Sequence, residues 1–178
     1  MEIAKRILLS EATIQQRVQE LGQEISRDYG DTSICLVCIL KGGLMFLTDL
    51  AKHIVPPVTF DFIGISSYGH ATQSSGVVRI TKDLEDSIEG KHVLIVEDII
   101  DSGLTLRYLI NNLHDRRPAS LRICTLLDKR ENRKVDIPVD YVGFSVPNEF
   151  LVGYGLDYKE YYRNTPFVFV LKPEYYED

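Results

Sequence analysis

Three short apolar runs constrain the fold more than any other feature of this chain. They are Ile34-Cys35-Leu36-Val37-Cys38-Ile39-Leu40, His92-Val93-Leu94-Ile95-Val96, and Leu121-Arg122-Ile123-Cys124-Thr125-Leu126-Leu127. Strands covered on both faces, as in a parallel sheet, read as near-continuous apolar runs of this length. Helical patterns lie between them. Ser10 is placed to cap a helix with Glu11 in its first turn, and Ile14, Val18, Leu21 and Ile25 follow at helical spacing until Gly30 and Asp31. Lys41-Gly42-Gly43 turns the chain into a second helix over residues 44–54, stopped by Pro56 and Pro57. Leu106, Leu109, Ile110 and Leu113 mark a third, closed near Pro118. Residues 58–66 are β-branched and aromatic and predict a strand, 77–81 a return strand, and 139–144 and 167–171 later strands. Alternating strands and helices predict an α/β domain with a mostly parallel central sheet flanked by helices. Such sheets bind ligands at the carboxyl ends of their strands, in the loops that lead into helices.

Composition narrows the function classes. At 178 residues the chain suits one domain, 1–178, with one sizeable core. A formal net charge of -6 counts against a nucleic-acid binder, which needs a basic face. The clearest apolar run is too short to span a bilayer. The first ten residues are broken by charges and lack the apolar core of a signal peptide, so a cytoplasmic protein is expected. Cys35, Cys38 and Cys124 are an odd count and fit a reducing compartment. Cys35 and Cys38 match C-x-x-C, but residues three apart on a strand face opposite ways. Both are read as small core hydrophobes, not a metal or redox pair.

The chemistry concentrates where the second apolar strand ends. Val93-Leu94-Ile95-Val96 runs into Glu97-Asp98, then Ile99-Ile100-Asp101-Ser102-Gly103-Leu104-Thr105 and a helix. Gly103 allows a tight turn and close backbone approach to a ligand. The N–H groups at a helix start favour an anion, and the Ser102 and Thr105 hydroxyls can add hydrogen bonds. Glu97 and Asp98 can accept from sugar hydroxyls or meet magnesium, a hard cation that prefers oxygen. Metal-dependent phosphatases and response regulators also carry carboxylates at strand ends. A P-loop is disfavoured, because Gly-x-x-x-x-Gly-Lys-Ser/Thr is absent.

Residues 93–105 resemble the phosphoribosyl-pyrophosphate motif of the type I phosphoribosyltransferases. The similarity continues through Leu40-Lys41-Gly42-Gly43, Ser66-Ser67-Tyr68, Leu126-Leu127-Asp128-Lys129-Arg130, Val142-Gly143-Phe144, and Val152-Gly153-Tyr154-Gly155-Leu156-Asp157-Tyr158 to Tyr162-Arg163. It covers nearly the whole chain in order and points to the branch of the family that uses hypoxanthine and guanine.

The resemblance implies a small hood region and a flexible lid loop beside the sheet. It implies displacement of pyrophosphate from phosphoribosyl pyrophosphate by a 6-oxopurine, giving IMP or GMP, with Mg2+. Glu97 and Asp98 would hold the ribose hydroxyls and metal, and residues 101–105, Leu104 included, the 5′-phosphate. Asp101 would handle the proton of purine N7 as general base; its plainer role is a loop cap. Lys41, Gly42 and Arg163 would bind pyrophosphate, with a cis peptide at Leu40–Lys41. Lys129 would meet the exocyclic oxygen and reject adenine, whose amino group cannot accept from an ammonium. Phe150 would stack on the base, Leu151 would meet its edge through backbone atoms, and Asp157 would hold a second magnesium. Ser67 and Tyr68 would stand at the base of a lid over residues 68–76. Leu104 replaces a lysine of some relatives, and Leu151 a common valine. His53, His70, His92 and His114 match no family role. The family also implies a homo-oligomer, dimer or tetramer, without nucleic-acid or membrane partners. A transferase for another base such as xanthine, and a regulator that senses the donor, are the rival readings.

Overall fold

A computed structural model describes residues 2–67 and 78–176 of the chain. In chain order the elements are β1 (Ala4–Leu9), α1 (Glu11–Tyr29), β2 (Ile34–Leu40), α2 (Leu44–Ala51), β3 (Val58–Ser67), β4 (Val78–Lys82), β5 (His92–Ile100), α3 (Leu104–His114), β6 (Ser120–Asp128), β7 (Tyr141–Ser145), β8 (Leu151–Val152) and β9 (Val168–Leu171). The three apolar runs became β2, β5 and β6, neighbours in a six-stranded sheet of order β4-β3-β2-β5-β6-β7. Every pairing in it is parallel except β3 with β4 at the edge.

The two faces of this sheet explain why its central strands run mostly apolar. Leu36 and Cys38 of β2 join Leu94 and Val96 of β5 in a core with α1 and α2. Cys35, Val37 and Ile39 join Val93 and Ile95 in a separate core with α3. The C-x-x-C thiols therefore lie on opposite faces, both free and buried. Burial pushes the Cys38 thiol up to about 12, which suits an inert core residue. In α1 the Ser10 hydroxyl accepts from the Thr13 N–H at 3.2 Å. Ile14, Val18, Leu21 and Ile25 are fully buried, each stabilising the fold by roughly 1.5–3 kcal/mol.

Two boundaries shift by several residues, and two strands are new. The second helix ends at Ala51, not residue 54, because His53 and Ile54 donate to Leu50 and Ala51 in tighter i to i−3 bonds. That turn takes the chain toward Pro56, and the helical conformation is disfavoured for the residue before a proline. β5 runs four residues past Val96, because its ladder with β6 continues to the Ile100–Asp128 pair. Glu97 and Asp98 thus lie within the strand instead of beyond it. β1 and β8 were not expected at all. They pair with β9 in a second, antiparallel sheet of order β1-β9-β8, which takes the place of the hood. Val152, Phe169 and Leu171 form its core.

The loops after β2, β5 and β6 all leave the carboxyl edge of the main sheet. That edge receives the hood's connecting turns and carries the site.

Candidate active site

Glu97 is buried, and burial followed by the charge of adjacent Asp98 holds its carboxyl well above the usual carboxylate range. Burial also raises Asp98. Asp98 accepts from the Ile99 N–H at 2.7 Å. A Cβ on Gly42 would stand 1.9 Å from Asp98 Oδ2, and one on Gly155 would stand 2.0 Å from Gly42 O. Glycine at these positions lets β5, the turn after β2 and the hood's turn at Gly155 stack against one another. The Leu40–Lys41 peptide in this turn is cis.

After β5 the chain turns at Gly103 (φ 82) into α3. A Cβ there would lie 2.8 Å from Ile137 Cδ1 and 3.2 Å from Val135 Cγ2. The segment 129–137 therefore packs straight over the 101–105 loop. Two backbone bonds tie them, Lys129 N–H to Ile100 O and Lys134 N–H to Ser102 O, both 2.9 Å. Beneath lies a cavity of about 210 Å³ lined by Glu97, Asp101, Ser102, Gly103 and Thr105 with Ile65, Ile99, Ile100 and Leu106. The first N–H groups of α3 and the glycine turn give it the character of an anion cradle. Leu104 is the first residue of α3 and does not line this cavity.

Ile65 also lines a second cavity, of about 370 Å³, with Leu40, Lys41, Gly64, Thr81, Lys82, Glu160 and Arg163. Lys41 Nζ pairs with Glu160 Oε2 at 2.6 Å, and Arg163 pairs with Glu160 Oε1 at 3.3 Å and Asp157 Oδ1 at 3.1 Å. Arg163 also donates to Gly155 O at 2.8 Å, while its buried Nε has no hydrogen-bond partner among the described residues. Asp157 accepts from the Glu160 N–H at 2.9 Å. The two expected pyrophosphate cations are thus brought together, bridged by a carboxylate that the sequence did not single out. A larger cavity of about 590 Å³, lined by Asp128, Arg130, Arg133 and Val135 among others, contains none of the expected site residues.

Asp101 and Lys129 meet. Lys129 is almost fully buried, and its Nζ lies 3.6 Å from Asp101 Oδ2. Asn132 Nδ2 donates to Asp101 Oδ1 at 2.5 Å, and Asn132 Oδ1 accepts from Asn148 Nδ2 at 3.1 Å. That bond ties in the segment carrying Phe150 and Leu151. The Phe150 ring is partly exposed and stacks on Tyr176, with centroids 5.0 Å apart. Leu151 turns its side chain into the core and pairs through its backbone with Val170.

Residues 7–159 match the family model of the phosphoribosyl transferase domain. The chain belongs to the phosphoribosyl transferase family. A hypoxanthine-guanine phosphoribosyltransferase from Bacillus subtilis (strain 168) is 53% identical over 173 residues, which are 97% of this chain and 96% of that one. One from Mycobacterium avium is 50% identical over 97% of this chain and 88% of its own. The crystal structure of a hypoxanthine phosphoribosyltransferase from Staphylococcus aureus is 49% identical and covers 99% of this chain and 96% of that one, with a TM-score of 0.94.

Against this phosphoribosyl transferase background, the remaining expectations divide. Tyr68 and the lid stretch lie outside the described residues, as does His70. Ser67 is the last residue of β3, paired with Val78. His92 bonds Ser120 at 2.8 Å in a structural role, and His114 is exposed. Sequence reasoning missed Asn132, Asn148 and Glu160. Each is a polar residue in a polar loop, and only folding brings Asn132 to Asp101, Asn148 to Asn132 and Glu160 to Lys41.

Proposed function

We propose that the protein is a purine-salvage enzyme. It transfers the phosphoribosyl group of phosphoribosyl pyrophosphate to hypoxanthine or guanine, releasing pyrophosphate and giving IMP or GMP. The observation that carries this reading is the Lys129–Asp101 pair beside the anion cradle. It sets a buried ammonium donor next to a carboxylate, the two groups needed to recognise an exocyclic oxygen and to take a ring proton. The relatives at about this degree of identity bear names with the same activity.

In this reading the 5′-phosphate occupies the cradle of Asp101, Ser102, Gly103, Leu104 and Thr105. Glu97 and Asp98 accept from the ribose hydroxyls, and Lys41, Gly42 and Arg163 receive the pyrophosphate. Phe150 offers its ring to the purine, Leu151 its backbone, and Lys129 donates to the exocyclic oxygen. Asp101 takes the proton from N7 as the bond to the anomeric carbon forms. Ser67 and Tyr68 belong to a lid that keeps water, the competing nucleophile, away from that carbon.

Mg2+ fits the donor set. Glu97 and Asp98 are side by side, and burial disfavours their charge, so a divalent cation would stabilise the ionised pair. Among the described residues no cluster of three or more acidic, histidine or cysteine side chains forms a closed metal site. That suits magnesium, which takes one or two carboxylates and completes its shell from substrate oxygens and water. Glu97 and Asp98 would hold one ion and Asp157 a second, whose charge would offset that of the departing pyrophosphate. We further read residues 1–178 as one cytoplasmic transferase domain that assembles as a dimer or tetramer. Among the described residues no helix is long and apolar enough to cross a membrane.

The test supplies phosphoribosyl pyrophosphate and Mg2+ with hypoxanthine, guanine, xanthine or adenine in turn and measures nucleotide formed. Hypoxanthine or guanine, not adenine, should be converted. No turnover with any purine would overturn the reading.

A further inference from the structure

We propose that Asn132, itself oriented by Asn148, is a positioning residue that holds the Asp101 carboxylate for proton transfer. This rests on the reading that Asp101 takes the purine proton. About half of the Asp101 side chain is open to solvent (51%), so burial alone does not fix its rotamer. Two donors from one short 3-10 turn do. Lys129 precedes the turn Arg130–Asn132, and the Asn132 N–H closes it on Lys129 O at 3.0 Å. Lys129 and Asn132 then reach the two oxygens of the same carboxylate, Oδ2 and Oδ1. The turn cannot drift relative to Asp101, because Lys129 N–H and Lys134 N–H are bonded to the backbone on either side of it, at Ile100 and Ser102.

Asp101, whose carboxylate only accepts, calls for the donor end of the Asn132 amide, and Asn148 holds the amide in that orientation. A carboxamide has a donor end and an acceptor end. The Asn148 amide donates to Asn132 Oδ1, so the Asn132 NH2 is the end turned to the carboxylate. Without that bond the Asn132 amide would be held at one end only and would be freer to turn away from the carboxylate. Asn148 stands two residues before Phe150, and Glu149 between them is gripped by Arg6 and Lys5 of β1. One chain of hydrogen bonds therefore runs from the segment carrying the expected base-stacking ring to the carboxylate expected to take the base's proton. With Oδ1 occupied by Asn132, Oδ2 is the oxygen left to share between Lys129 and the purine.

The test is a single-turnover measurement with hypoxanthine, which isolates chemistry from product release. Asn132→Ala should slow it by about ten-fold or more, because loss of orientation acts on the reacting geometry. Donor affinity, measured separately by equilibrium binding of phosphoribosyl pyrophosphate, should not move. Asn148→Ala should slow it by roughly three-fold, and the double variant should be no slower than Asn132→Ala, since both act through one contact. Asn132→Asp keeps the shape and still accepts from Asn148, but faces Asp101 with oxygen. It should be slower than the alanine variant, whereas a mere packing role would spare it. A parental rate in Asn132→Ala, additive losses in the double variant, or a loss of donor affinity matching the loss of rate would each overturn the relay. Asp101→Asn is the companion arm. If it retains the parental rate, the role of Asp101 falls and the relay with it. If it is slow while Asn132→Ala is normal, only the relay falls.

Discussion

Gly42→Ala probes the closest approach in the site. Gly42 is not among the glycines held at positive φ, so alanine is acceptable to the backbone and the cost is steric. The new Cβ would fall 1.9 Å from Asp98 Oδ2 and 2.7 Å from Asp98 Cγ, whereas ordinary contact begins at 3.4 Å. Carboxylate and turn must part by roughly 1.5 Å, since close-packed surroundings leave no void to absorb the methyl. Neither retreats freely. Asp98 is bonded to the Ile99 N–H, and Gly42 O is backed by Gly155. The displacement then falls on the expected sugar and pyrophosphate contacts. Misplacement by about 1 Å costs on the order of 10²-fold in rate, which is about 2.7 kcal/mol at the transition state. kcat/KM for phosphoribosyl pyrophosphate should fall by that factor, while overpacking costs about 1–3 kcal/mol of stability. Gly90→Ala is the control. Gly90 has φ 73 and open space around its Cβ position. It should lose about 1–2 kcal/mol of stability from left-handed strain alone, with unchanged kinetics. Initial rates at subsaturating donor, with urea unfolding of each variant, separate the effects. A Gly42→Ala enzyme that folds and keeps kcat/KM within about three-fold of the parent would refute the close stacking of Gly42 on Asp98 as a functional constraint.

Glu97→Gln tests the raised carboxyl through stability. A folded-state value above the unfolded one means that the folded chain keeps a proton the unfolded chain has released. Glu97's contribution to stability is therefore fully present below the usual carboxylate range and is lost as pH rises from there through the raised value. The variant should show a flatter profile and gain on the parent toward neutral pH in urea midpoints; parallel profiles would contradict it. Glu160→Gln should lower the KM for phosphoribosyl pyrophosphate by roughly two- to five-fold, the scale of an exposed ion pair. Its carboxylate occupies Lys41 and Arg163, and those partners hold it below its usual range. A raised KM would show that Glu160 assists the donor instead of competing with it.

The parts of the fold legible in the sequence were those with local causes. β2, β5 and β6 announce themselves because both faces are covered, so their central residues run mostly apolar. α1 does so because Ser10, the spacing from Ile14 to Ile25, and Gly30 all agree. The C-x-x-C pair could be dismissed as a metal site from strand geometry alone. β1 and β8 left no such trace. β8 has two residues, and β1 is a strand by virtue of pairing with β9 at the far end of the chain. The site divides in the same way. The string from Glu97 to Thr105 is contiguous, and its chemistry could be read from residue types. Asn132, Asn148 and Glu160 act on partners 31, 16 and 119 residues away, and no local pattern distinguishes them from solvated loop residues.

The division of labour among the acidic residues is the claim on which the rest depends: Glu97 and Asp98 hold the sugar, and Asp101 moves the proton. Asp101→Asn tests it in one measurement. The single-turnover rate of nucleotide formation from hypoxanthine is compared with equilibrium binding of phosphoribosyl pyrophosphate. The rate should fall on the order of 10²–10⁴-fold, the usual worth of a positioned proton acceptor, while the fold and donor affinity remain those of the parent. A near-parental rate would contradict the assignment and return Asp101 to the role of a loop cap.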